Sequence, residues 1–240
     1  MKRILFISLV IMLVSISLIS IFFIYKDKKE DYEQEKVFEE IENIVNESEE
    51  KEESTINIEE LYKINNDIVG WIQIDNTNIN YPVMQTKDRP NYYFKRNFYK
   101  KYSSLGTPYI AENCNIDTSD NLIIYGHHIK GKRVFGELEN YKSKEYYNNH
   151  KNIRFYTMQE KAEYEIIAVF KTIAYTGFRY YEFYNAKDER EFKTFVNKCK
   201  ELSFYYTEKI AEYGDRLITL STCEYSNPNG RLVVVARKII

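Results

Sequence analysis

Side chains able to do nucleophilic or proton-transfer chemistry are few in this 240-residue chain: three cysteines and three histidines. Cys223 stands where Leu217-Ile218-Thr219-Leu220-Ser221-Thr222 gives way to Glu224-Tyr225-Ser226-Asn227-Pro228. A thiol at a strand end is held by the ladder behind it while it faces any cleft the loops leave open, which suits a nucleophile. A structural strand-end cysteine fits the same pattern. Past the turn Asn227-Pro228-Asn229-Gly230, Arg231 opens the run Leu232-Val233-Val234-Val235-Ala236. If the two runs pair as a hairpin, Cys223 and Arg231 flank one loop. Adjacent strands lie about 4.8 Å apart, so a guanidinium there reaches the sulfur or an oxyanion formed beside it. A snorkelling arginine is the bland use of that position, and Arg237 sits too far along to share the loop.

His127 and His128 follow Leu122-Ile123-Ile124-Tyr125-Gly126, a second strand end with a glycine to permit a sharp departure. A Cys–His couple must be close only in space, so the 96-residue gap between His127 and Cys223 carries no weight. An exposed histidine pair is the alternative. His150, in Asn148-Asn149-His150-Lys151, reads as an exposed connector residue. Cys199 falls on an apolar helical face and Cys114 in the loop Ala111-Glu112-Asn113-Cys114-Asn115; neither pattern points to chemistry. The common nucleotide and metal motifs are missing, and no metal or cofactor is expected.

The elements that must position these groups are mostly strands. Short β-branched or aromatic runs occupy 68–74, 79–83, 122–125, 153–158, 164–174, 217–222 and 232–236. Helical patterns cover 134–147 and 188–203, the second with Asp188 and Glu191 at capping-box spacing. Strands outnumber helices without strand–helix alternation, so a mixed-to-antiparallel barrel or sandwich is expected rather than a doubly wound fold.

Composition sorts the chain into three stretches. With 44% apolar and 29% charged residues it is neither low-complexity nor wholly disordered, and a net charge of −2 gives no basic field for nucleic acid. Ile4 to Tyr25 holds 22 uncharged residues, about 33 Å as a helix, and ends in bulky residues rather than a small-residue cleavage site. Residues 1–26 are therefore expected to be a retained membrane anchor rather than a cleavable signal. Basic residues flank both of its ends, so charge does not orient it. Residues 27–53 carry 13 acids against 4 bases and read as an acidic, solvated stalk, with Glu47–Glu53 as a disordered hinge. The alternative is a helix docked through Val37, Phe38, Ile41, Ile44 and Val45. Residues 54–240 fit one domain with a sizeable core.

Together these pieces resemble the sortases of Gram-positive bacteria, and class B among them. Thr219-Leu220-Ser221-Thr222-Cys223 resembles the family's T-L-x-T-C signature. Tyr125-Gly126-His127-His128 resembles the segment of its catalytic histidine, and Arg231–Ala236 the strand of its arginine. Val69-Gly70-Trp71-Ile72 and Ile79-Asn80-Tyr81-Pro82-Val83 are similar to the opening strands of the class. The resemblance spans roughly residues 55–240. The absence of a second apolar span and of any Asp-Pro lid element, with a long helix before the cysteine strand, sets it apart from pilin-assembling class C.

The resemblance implies an eight-stranded β-barrel with N-terminal helices, and a single-pass transpeptidase outside the cell membrane. Cys223 would attack the threonine carbonyl of a C-terminal sorting motif, of the Asn-Pro-x-Thr type, in a secreted protein. His127, directly after the glycine, would serve as general acid and then base, and Arg231 would stabilise the oxyanion or hold the substrate backbone. The acyl group would pass to an amine of peptidoglycan or its lipid-linked precursor. Ser221, Thr222 and Glu224 flank the nucleophile as candidate substrate contacts, and the aromatic segment 176–183 as a groove wall. Rival readings are a membrane-anchored cysteine protease, a pilin-polymerising sortase and a binding module with degenerate chemistry.

Overall fold

The β-branched runs become the staves of a closed barrel. The computed structural model describes residues 2–46, 57–129 and 131–240. Its strands are β1 (Ile68–Gln73), β2 (Asn80–Met84), β3 (Tyr109–Ile110), β4 (Asn121–Tyr125), β5 (His128–Ile129), β6 (Arg133–Val134), β7 (Asn152–Tyr156), β8 (Lys161–Ile173), β9 (Leu217–Glu224) and β10 (Gly230–Lys238). Eight of them close in the order β1-β2-β3-β4-β9-β10-β8-β7, while β5 and β6 form a separate hairpin. Side chains such as Ile72, Val83, Ile123, Phe155, Ile167 and Val234 are fully buried in one continuous core. Closure leaves the barrel no open edge.

Among the described residues four α-helices accompany it: α1 (Lys2–Asn46), α2 (Ile58–Ile64), α3 (Lys144–Asn149) and α4 (Glu189–Leu202). The pattern at 188–203 becomes α4. Asp188 accepts from the Glu191 N–H at 2.8 Å, and the Glu191 carboxylate reaches back to the Lys187 N–H at 2.7 Å. Its apolar face of Phe192, Phe195, Val196 and Cys199 is buried, and the helix packs against β8.

Two expectations are corrected. The pattern at 134–147 is not one helix: it begins in β6, continues as a 3-10 turn over Gly136–Lys142, and restarts as α3. Ser143, extended at φ −91° and ψ 127°, breaks the run and caps α3. A Cβ at Gly136 would lie 2.3 Å from the Ile129 carbonyl oxygen, so the turn is pressed against the β5–β6 hairpin.

The second correction concerns the acidic stretch. Its described part is no solvated stalk; it is the second half of α1, docked on the barrel. Ile41 and Val45 are buried in a second core with Ile58, Leu61, Ile68 and Trp71, and Phe38 lies edge-on to Tyr81 at 4.9 Å. Arg133 holds Asp31 at 2.8 Å and Glu35 at 3.0 Å, Tyr99 donates to Glu40, and Asn80 donates to Glu42. Removing that apolar face from water outweighs solvation of the helix, whose acids still find partners or solvent at its flanks. The expected hinge at 47–53 lies outside the described residues.

Candidate active site

Strand register decides which of the chemical side chains meet. β4 and β9 run parallel with Tyr125 opposite Ser221, so their ends emerge on the same side. Two residues further along each strand come His127 and Cys223. β10 runs antiparallel to β9 with Arg231 directly opposite Cys223. Side chains two apart share a face, and directly opposed residues do too. The register sets Cys223 and Arg231 side by side on adjacent strands, and His127, just past the end of β4, completes the row at the same end of the barrel. All three line one cleft of about 570 Å³, with Tyr109, Tyr125, Tyr180 and Tyr181 among its walls.

Each member of the row is held differently. Past β4, a Cβ on Gly126 would fall 2.5 Å from the Phe135 ring, so glycine serves a close approach there. His127 Nε2 lies 2.6 Å from the Phe94 carbonyl oxygen, and the two rings sit 4.1 Å apart. A carbonyl only accepts, so Nε2 carries a proton and Nδ1 is the nitrogen left to exchange one. Burial lowers the His127 pKa; the Phe94 bond opposes this, and the Lys95 charge adds to the lowering. The cleft histidine is therefore oriented by a main-chain carbonyl rather than by an Asp or Asn side chain.

Cys223 is half-buried, whereas Cys114 and Cys199 are buried. Burial pushes the Cys114 thiol up to about 11 and the Cys199 thiol higher still, so neither is a practical nucleophile at neutral pH. Arg231 donates to the Gly230 carbonyl at 2.9 Å, and no ion pair engages it among the described residues. Among the described residues no other hydrogen bond takes its remaining donors. Arg237 is at the far end of the hairpin, between Glu165 at 3.5 Å and Asp215 at 3.8 Å.

The flanking residues divide. Ser221 lines the cleft with its hydroxyl 2.6 Å from that of Tyr180. Thr222 also lines it, and its buried Oγ1 has no hydrogen-bond partner among the described residues, a costly arrangement unless a ligand supplies one. Glu224 is not among the lining residues. Burial would raise its pKa, but the Ser226 hydroxyl and N–H and the Lys142 ammonium at 2.9 Å hold it down at about 2. That carboxylate is engaged in holding the loop after Cys223, and the structure does not place it on the cleft where it was expected as a substrate contact.

The Sortase domain family model matches residues 72–239, which contain the whole row. The chain belongs to the sortase family. Sortase B of Staphylococcus aureus is 33% identical over 217 residues, covering 89% of this chain and 86% of that protein. Sortase B of Listeria monocytogenes is 32% identical over 185 residues, 76% of this chain and 74% of the relative. A solved Staphylococcus aureus sortase B–substrate complex superposes with a TM-score of 0.76 at 30% identity, over 90% of this chain and 98% of that one. These likenesses make the chain a class B sortase, a cysteine transpeptidase built on an eight-stranded barrel.

One feature of this sortase's cleft carries no motif in the sequence. Phe94, which orients His127, lies 33 residues upstream in a 3-10 turn whose preceding residue, Asn91, adopts φ +56°. Only a left-handed-tolerant asparagine before an aromatic run hinted at a tight turn there. Tyr180 and Tyr181 come from the aromatic 176–183 segment expected to wall the groove.

Proposed function

We propose that Cys223 is the nucleophile, His127 the proton-transfer group and Arg231 the oxyanion donor of a membrane-anchored sortase that joins secreted proteins to the cell wall. The observation that carries this reading is the row of three side chains, from just past β4 and from β9 and β10, within one cleft. The Cys223 sulfur bonds to the threonine carbonyl carbon of a C-terminal sorting motif, and the thiol proton passes to His127 Nδ1. Negative charge collects on the carbonyl oxygen, where the free donors of Arg231 oppose it. As the C–N bond breaks, His127 returns the proton to the leaving amine. An amine of peptidoglycan or its lipid-linked precursor then attacks the thioester and gives its proton to His127; the C–S bond breaks, and His127 returns that proton to the Cys223 sulfur.

Ser221 and Thr222 are proposed substrate contacts, the unpartnered Thr222 hydroxyl favouring a bond to the bound peptide. The first half of α1 supplies the anchor in this reading: Ile4 to Tyr25 is an exposed, uncharged helical surface long enough to cross a bilayer. Domains then follow as anchor 1–26, docked acidic helix from 27, and catalytic domain 54–240 on the extracellular side.

The test uses the full chain in detergent micelles with Asn-Pro-x-Thr and Leu-Pro-x-Thr peptides, with and without triglycine, read by mass spectrometry. A thioacyl adduct on Cys223 and a triglycine-joined product are expected, both lost in Cys223→Ala. Cleavage that persists in Cys223→Ala, or cleavage without a joined product with either peptide, overturns the reading.

A further inference from the structure

The second histidine of the pair is not in the cleft, and its bonds assign it other work. At the β4–β9 junction the Ser221 carbonyl accepts from the Gly126 N–H at 3.1 Å. The carbonyl two residues on, at Cys223, points the same way, but β4 has ended and, among the described residues, no β4 N–H bonds it. His128 Nδ1 takes that place at 3.0 Å. Its other nitrogen, Nε2, lies 3.3 Å from Glu139 Oε2. A carbonyl only accepts, so Nδ1 carries the proton that meets Cys223.

The Glu139 carboxylate is itself fixed by Lys142 at 2.8 Å, and the same ammonium holds Glu224 at 2.9 Å. Tyr225 completes the enclosure, its ring edge-on to His128 at 5.1 Å and its hydroxyl 3.4 Å from the His128 carbonyl oxygen. The nucleophile's peptide unit is thus gripped at its own carbonyl by His128 and at the next side chain by Lys142.

We propose that His128 is a positioning residue: it replaces the missing rung of the ladder at Cys223, and Glu139 fixes its ring. This rests on the reading of Cys223 as the nucleophile. It predicts a loss in the chemical step rather than in peptide binding, because a nucleophile displaced by a fraction of an ångström reacts slowly with a substrate bound as before.

The experiment compares wild type, His128→Ala, His128→Asn, Glu139→Gln and Cys223→Ala as full chains in micelles. Readouts are kcat and KM for the sorting peptide, the rate of Cys223 alkylation by iodoacetamide, and thermal midpoint. His128→Ala is expected to lower kcat by about 10- to 100-fold with KM within twofold, and to slow alkylation. His128→Asn, whose amide N–H falls near the Nδ1 position, should recover most of both, and Glu139→Gln should fall between. The inference is overturned if His128→Ala keeps kcat and alkylation within twofold of wild type, if KM rises while kcat holds, or if Asn is no better than Ala at matched thermal midpoint. Cys223→Ala separates the two claims: activity surviving there refutes the nucleophile reading, while the alkylation series judges His128 independently.

Discussion

At the residue scale, two histidines adjacent in sequence are divided by what their nitrogens touch. His127 spends Nε2 on the Phe94 carbonyl and keeps Nδ1 for the cleft, while His128 has both nitrogens occupied outside it. Burial places His127's folded-state pKa below 6.5. NMR of its ring in Cys223→Ala should therefore give a titration midpoint below that value, and a midpoint above 6.5 would contradict the burial argument. A lowered histidine also makes folding less favourable as pH falls through about 6.5, because the unfolded chain takes up the proton first. Glu224 acts in a lower window: depressed from 4.5 to about 2, it contributes stability above pH 4.5 that is lost as pH falls toward 2. Glu224→Gln should flatten the acid limb of a stability–pH curve between those values, with little change at pH 7 beyond the lost ion pair. Arg231 makes a sharper claim on rate. Arg231→Ala should cost about 10²–10³ in kcat, the usual loss for one oxyanion donor, with the thermal midpoint nearly unchanged.

At the element scale, the parallel pairing of β4 with β9 does the assembly. A hairpin is visible in sequence because its turn is local, so Asn227-Pro228-Asn229-Gly230 exposed the Cys223–Arg231 pairing. The β4–β9 partnership joins segments nearly a hundred residues apart and has no local signature, so His127 could be set beside Cys223 only by resemblance or by structure. The two-residue strands β3, β5 and β6 were illegible for a different reason: two residues carry no periodicity. Docking of α1 was written in the apolar positions of its acidic half, but competed with thirteen acids that argued for solvent. The Trp71 side chain, the one tryptophan, sits in the same cluster as Ile41 and reports on that packing. Ile41→Ala in the full chain should lower stability by about 2–5 kcal/mol and shift Trp71 emission to the red. An unchanged midpoint would restore the solvated stalk.

At the scale of the whole molecule, α1 is one uninterrupted helix from its apolar end into the barrel's flank. Only five positions separate Tyr25, the last of the uncharged run, from Glu30, whose carboxylate accepts from the Ser104 N–H at 3.1 Å. At about 1.5 Å per residue that is roughly 7.5 Å. In the membrane-anchored reading, the helix is a spacer bar that fixes the altitude of the cleft. Partners must then arrive by lateral drift at that height, turning a search through a volume into a search across a plane. Twelve Gly-Ser residues inserted after Asp27 would loosen the bar to an r.m.s. reach of about 19 Å. Turnover of free peptides should be unchanged, while joining of two substrates anchored in the same vesicle should slow several-fold; equal rates on both would show that altitude does not matter.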